Sequence, residues 1–244
     1  MKQYEAVIKV MEGNGNYATL GYLYQHVLLV PGCEWKTKTP FASIRRIVQD
    51  ERFFFRIRPG LWGLKSQQDA VLEKLAIDNK SSDEKREEFN HTYYQGLLVE
   101  IGNLKGFETF VPYQDKNKPY LSNPLSNYST LARFYTFTYE HVVRRARTID
   151  VTWFNERGFP DSHFEIEHTT NIQNSLLKFL ELQDFNTNFT VVAPKSRKQD
   201  FEQKIGYIAF RPIKDRVAFV DYDKLSVYHS KVFELHQIQQ GFQF

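Results

Sequence analysis

Two short runs of alternating residues constrain this chain more than any other feature. They are Ile149-Asp150-Val151-Thr152-Trp153-Phe154 and His163-Phe164-Glu165-Ile166-Glu167-His168, and the loop between them carries Gly158 and Pro160. Runs of this length, rich in β-branched and aromatic residues and bounded by turn formers, make strands, and a loop this short closes them into a hairpin. Side chains alternate along a strand. Glu165 and Glu167 therefore share one face, their Cα atoms about 7 Å apart, while Phe164, Ile166 and His168 share the other. Pairing Phe154 with His163 sets Asp150 opposite Glu167 on the acidic face, and a one-residue slip would remove it. Three carboxylates on a largely apolar sheet repel one another, and a divalent cation, with magnesium as the natural occupant, is the usual means of neutralising them. His168 points away from this face and reads as structural.

The hairpin sits in an ordered frame. Ser82 or Asp83 can cap a long helix running to about Leu104, with Phe89, Tyr93, Leu97, Ile101 and Leu104 as its buried stripe. Glu100 lies at the edge of that stripe, where a carboxylate must be paired or ligating, or else turn outward to solvent. Glu108–Pro112 reads as a strand, and residues 113–127 form a polar, Pro-containing excursion with no regular pattern. A helix over Tyr139–Arg147 precedes the hairpin; a helix over Ile172–Phe185 and a strand over Phe189–Ala193 follow it. Farther on, Lys195, Arg197, Lys198, Lys204, Arg211, Lys214 and Arg216 suit either a phosphate-tracking surface or a solvated rim. They lead into a strand over Val217–Val220, and Leu225–Phe244 reads as a helix anchored by Tyr228 and Phe233.

The N-terminal quarter has a different character. Residues 1–65 carry ten Lys and Arg against five acids, whereas the remainder has 22 basic residues against 24 acidic ones. A basic head on a near-neutral body suits a polyanion-binding module, although a solvated lysine face has the same composition. Tyr4, Ala6, Val7, Val10 and Met11 recur at helical spacing up to Gly13-Asn14-Gly15. Thr19 can cap a second helix, and Thr39-Pro40 opens a third with Phe41, Ile44, Ile47 and Val48 on its buried side. Phe53–Ile57, the turn Arg58-Pro59-Gly60 and Leu61–Leu64 then form a pair of short strands. Arg52-Phe53 after the third helix and the Pro-Gly-Leu-Trp-Gly-Leu wing resemble the HARE type of helix-turn-helix domain, known in chromatin-associated proteins, an RNA polymerase subunit and restriction enzymes. That resemblance implies a winged helix whose third helix enters the major groove, with Ser43, Arg45, Arg46 and Gln49 reaching bases or phosphates and Arg56, Arg58 and Lys65 flanking the backbone.

From the helix bearing Glu100 onward, the order helix, strand, Asp150 strand, Glu165-Ile166-Glu167 strand, helix, strand resembles the PD-(D/E)XK nuclease superfamily over about half of the chain. The expected fold class is α/β (α+β): a winged helix over 1–65, a linker over 66–82, and a mixed sheet flanked by helices over 83–244. The resemblance implies Asp150 and Glu165 as ligands of Mg2+, with Mn2+ as a substitute, together with the Ile166 carbonyl. It also implies Glu167 as the group that orients or deprotonates water and Glu100 as an auxiliary acid. The superfamily's last position is usually Lys, and Glu167 stands there instead. Lys178 could supply that ammonium from the following helix, but a lysine there is expected to be solvated.

The implied activity is that of a Type II-like restriction endonuclease cutting double-stranded DNA, with no organic cofactor and with two copies acting as a homodimer. Two other readings stand beside it: a DNA-binding regulator or structural protein with an inactive core, and a defence or repair nuclease for modified DNA. The single Cys33 excludes an internal disulfide framework and a thiolate zinc cluster. Lys2, Glu5 and Lys9 interrupt the first ten residues and no run reaches membrane-spanning length, so a cytoplasmic, membrane-free protein is expected.

Overall fold

Helix α1 (Gln3–Gly13) ends where Gly15 and Asn16 take positive φ, 80° and 72°. The turn delivers β1 (Tyr17–Thr19), and Thr19 then caps α2 (Leu20–His26), its side chain accepting a hydrogen bond from the Tyr22 amide at 3.1 Å. Pro40 opens α3 (Pro40–Ile47), where its missing N–H is no loss. β2 (Phe54–Arg58) and β3 (Leu61–Leu64) form the hairpin read from the sequence. β1 joins them in a three-stranded antiparallel sheet of order β1-β3-β2. At three residues β1 is too short to show an alternating pattern, and only its pairing with β3 makes it a strand. Ala6, Val7, Met11, Leu23, Tyr24, Ile44, Val48, Phe54 and Leu61 are buried among these elements. α4 (Gln68–Lys74) follows.

The described residues are 1–240, and the end of the expected C-terminal helix, 241–244, lies outside them. The chain divides into two units: Met1–Arg86 together with the chain from Ser226 onward, and Glu87–Leu225. The boundaries fall within α5 (Asp83–Leu104) and within the last helix. After α5 come β4 (Glu108–Phe110), the small ribbon β5 (Pro119–Tyr120) and β6 (Asn123–Pro124), α6 (Glu140–Ala146), β7 (Val151–Phe154) and β8 (Pro160–Ile166). The remainder is α7 (Ile172–Leu180), β9 (Asn188–Ala193), α8 (Lys198–Ile205), β10 (Val217–Asp221) and α9 (Tyr222–Gln240). Among the described residues no helix is long and apolar enough to cross a membrane.

The second unit is a mixed sheet flanked by helices. Its strand order is β10-β9-β8-β7-β4; β8, β9 and β10 run parallel, and β7 is antiparallel to both β8 and β4. Helix α5 covers one face. Gly102 brings it so close that an added Cβ would lie 2.6 Å from atoms of Thr109 and Trp153, and the Trp153 indole donates to the Leu98 carbonyl at 3.1 Å. On the other face Ile172, Leu176 and Phe179 of α7 and Phe201 and Ile205 of α8 pack with Phe189, Val191 and Ala193 of β9. Each such large side chain, taken from water, contributes about 1.5–3 kcal/mol.

The hairpin register differs from the expected one. Val151 pairs with Phe164 and Thr152 with His163, so Asp150 aligns with Glu165 and not with Glu167. The turn is tighter than expected: β8 begins at Pro160, Gly158 N–H donates to the Asn155 carbonyl at 2.9 Å, and an irregularity lies between Trp153 and Phe154. The displacement amounts to two residues, and because faces repeat every second residue, Asp150 keeps its face.

Candidate functional site

Asp150, immediately before β7, is tied across the hairpin: its Oδ2 accepts a hydrogen bond from the Ile166 amide at 2.7 Å. Both it and Glu165 are buried, at 8% and 3% exposure. Burial pushes the Asp150 carboxyl up to about 7, with the Lys178 ammonium and the Ile166 amide pulling the other way. Burial pushes Glu165 up to about 8, and the neighbouring Asp150 charge adds to the rise while Lys178 opposes it. These shifts reflect how poorly a buried sheet solvates two adjacent negative charges.

The cation beside them is Lys178, which is not solvated as expected. Its Nζ donates to both Glu165 oxygens, at 2.7 and 2.9 Å, and to the Thr148 carbonyl at 3.0 Å. Its position follows from α7, whose cap Asn171 fixes the helix start and whose Leu176 and Phe179 anchor it to the sheet. Ser175 and Lys178 stand three residues apart and so share the side turned to β8. The Ser175 hydroxyl donates to Glu165 Oε2 at 3.0 Å and also to Glu167 Oε1, and the Thr170 hydroxyl donates to Glu167 Oε2. Glu167 is thus held by two hydroxyls. His168 lies beside Tyr222, its ring stacked on the tyrosine at 6.0 Å.

Helix α5 contributes a second group. His91 and Gln95, one turn apart, face the start of β7. The Gln95 amide nitrogen donates to Asp115 Oδ2 at 3.1 Å and to the Asp150 carbonyl at 3.0 Å, while its Oε1, fully buried, accepts no hydrogen bond. His91 Nε2 is 3.6 Å from Asp150 Oδ1, and Asp115 also pairs with Lys118 at 2.7 Å. One ligand atom from each of His91, Asp115 and Asp150 lies within 4.8 Å of the others. Burial lowers the His91 pKa, with the Asp115 charge opposing, which favours the neutral imidazole that a metal requires. Two carboxylates and an imidazole form a donor set that fits a divalent cation, and the amide group that adjoins them carries a buried oxygen lacking a partner.

Glu100 does not join this group. It accepts a hydrogen bond from the Tyr120 hydroxyl at 2.7 Å, with the tyrosine ring lying so close over Gly96 that a Cβ there would sit 2.2 Å from it. His91, Gln95, Asp115, Ser175 and Lys178 were not assigned to the site from sequence. The four-residue spacing of His91 and Gln95 within an aromatic stretch was a usable signal; Asp115, in the irregular excursion, offered none.

In the other unit Arg45, expected to reach DNA, is turned inward: its guanidinium donates to the Tyr24 hydroxyl at 3.2 and 3.1 Å and to Glu234 at 3.2 Å. Arg46, Gln49, Arg56 and Lys65 are exposed. Ser43 donates back to the Thr39 carbonyl at 3.3 Å, and half-buried Arg58 donates to the Ile57 carbonyl at 2.8 Å.

A family model described as the Type II restriction enzyme NmeDI C-terminal domain matches residues 71–242. The Type II restriction enzyme NmeDI of Neisseria meningitidis serogroup C is 25% identical over 114 residues, 43% of this chain and 32% of that protein. The chain thus spans about a third of that relative's length. No solved structure matches.

Proposed function

Because the chain belongs to the family of the Type II restriction enzyme NmeDI C-terminal domain, we propose that it is a magnesium-dependent endonuclease that cuts double-stranded DNA at a specific sequence. The observation that carries this reading is the gathering of Asp150, Glu165 and Lys178 at one point of the hairpin, with Glu167 beside them. The likeness to a Type II restriction enzyme and the helix-flanked mixed sheet support a PD-(D/E)XK core. In it Lys178 supplies from α7 the ammonium that the superfamily pattern places where Glu167 stands.

Asp150, Glu165 and the Ile166 carbonyl would hold the cation, which when bound lowers the pKa of a water and offsets negative charge on the scissile phosphate. Lys178, its N–H groups directed at Glu165 and the Thr148 carbonyl, favours the ionised form of Glu165 against its burial and adds positive charge where negative charge develops on the phosphate. Glu167, fixed by Thr170 and Ser175, orients the attacking water and accepts its proton. The three helices and the β1-β3-β2 sheet support a winged helix that docks on duplex DNA through Ser43, Arg46 and Gln49 of α3 and through Arg56, Arg58 and Lys65. Two copies, one site per strand, would complete a double-strand cut.

The test pairs cleavage with binding on one DNA. Glu165→Ala and Lys178→Met should each lower the cleavage rate by about a hundredfold or more while gel-shift affinity persists, because ground-state contacts to the backbone lie elsewhere. A folded Glu165→Ala protein cutting at the wild-type rate would sink the reading.

A further inference from the structure

The resemblance accounts for Asp150 and Glu165 but says nothing of the residues that α5 and the turn after β4 bring to the other side of Asp150. We propose that His91, Asp115 and Asp150, with the Gln95 amide oxygen, form a divalent-cation site of mixed nitrogen and oxygen donors, selective for imidazole-binding transition metals over magnesium.

Three observations carry it. The ligand atoms of His91, Asp115 and Asp150 lie within 4.8 Å of one another, a spacing that one ion can span. The Gln95 side chain is fully buried, and its nitrogen already touches both Asp115 and the Asp150 backbone, so its orphan oxygen sits on the same carbon at the edge of the cluster. A buried acceptor without a donor is costly, and an ion supplies what it lacks. The Ile166 amide occupies Asp150 Oδ2, which leaves Oδ1, 3.6 Å from His91 Nε2, as the carboxylate atom that faces the cluster.

The remaining groups suit the assignment. Lys118 on Asp115 Oδ1 and the Gln95 amide on Oδ2 fix that carboxylate's orientation and leave each oxygen a further lone pair. The His91 side chain, 26% exposed, provides the way in for an ion. Magnesium seeks an octahedral shell of oxygens, whereas an imidazole nitrogen shifts preference toward ions such as Mn2+, Co2+ and Ni2+ in rising order.

This inference rests on the nuclease reading only for the ion's purpose, and its test needs no DNA. Calorimetry on the tag-free chain, titrated separately with Ni2+, Mn2+ and Mg2+, should show one Ni2+ per chain bound at least about tenfold more tightly than Mg2+. His91→Ala and the closer His91→Gln should each lose at least about tenfold in Ni2+ affinity, with much less effect on Mg2+, and Asp115→Asn should weaken both ions. Glu165→Ala should keep its Ni2+ affinity, which separates this site from the catalytic one. Melting curves without metal identify which variants are folded. Wild-type Ni2+ affinity in a folded His91 variant, absence of a one-to-one Ni2+ site, or loss in Glu165→Ala but not in His91→Ala would each overturn the proposal. Cleavage with Mg2+ would in those cases still stand.

Discussion

His163 lies two residues before Glu165, fully buried, with its ring 6.0 Å from Phe189 and its Nδ1 3.0 Å from the Thr152 hydroxyl. Burial without a counter-charge depresses its pKa to about 3, and its Nε2 has no hydrogen-bond partner. A histidine whose folded pKa is depressed contributes stability that is present above its ordinary pKa of about 6.5 and is lost as pH falls toward the folded value. Each pH unit through that window costs about 1.4 kcal/mol. The raised carboxyls of Asp150 and Glu165 act in the opposite direction over the same range, so the His163 contribution is read as a difference between two proteins. Relative to His163→Phe, which keeps a ring against Phe189, the wild-type melting temperature should fall between about pH 6 and pH 4; parallel pH profiles in the two proteins would mean that protonation of His163 costs nothing.

At the scale of elements, α3 separates two arginines that adjoin in sequence. Arg45 is half-buried and linked to Tyr24 and Glu234, whereas Arg46 is exposed. Arg45→Ala should lower stability by about 1–2 kcal/mol, since it leaves the hydroxyl of buried Tyr24 without its donor, whereas Glu234 keeps Lys231 at 2.8 Å. Arg46→Ala should leave melting nearly unchanged while weakening DNA binding and reducing its salt dependence by about one phosphate contact. Melting curves and titrations at several salt concentrations check both, and an Arg46 variant with unaltered affinity and slope would remove α3 from the docking surface. The same pair shows what the sequence could reveal. Helical spacing placed Ile44 and Val48 inside, but both arginines belonged to the polar side, and only a tyrosine 21 residues earlier and an acid 189 residues later draw Arg45 in. Likewise, alternation put Asp150, Glu165 and Glu167 on one face, because a two-residue register error preserves faces. The placement of Lys178 over Glu165, and of His91 and Asp115 beside Asp150, depends on how helix and turn meet the sheet, which periodicity does not encode.

In the whole molecule, the first unit is assembled from sequence on both sides of the second. Phe233 and His229 of α9 lie against Gly21 of α2, where a Cβ would stand 2.7 Å from the Phe233 ring, and Glu234 meets Arg45. Gly21→Val should displace α9 at a cost of about 1–3 kcal/mol by overpacking. Amide exchange should then quicken across α1 to α3, while β7 to β9 keep their protection; quickening confined to β7–β9 would contradict the division. The arrangement also bears on birth order at the ribosome. Residues 87–221, with the whole sheet and its acids, are synthesised before α9, and until then the N-terminal unit lacks its last helix. During synthesis the chain would thus acquire the proposed means of cutting DNA before the proposed means of gripping it is finished.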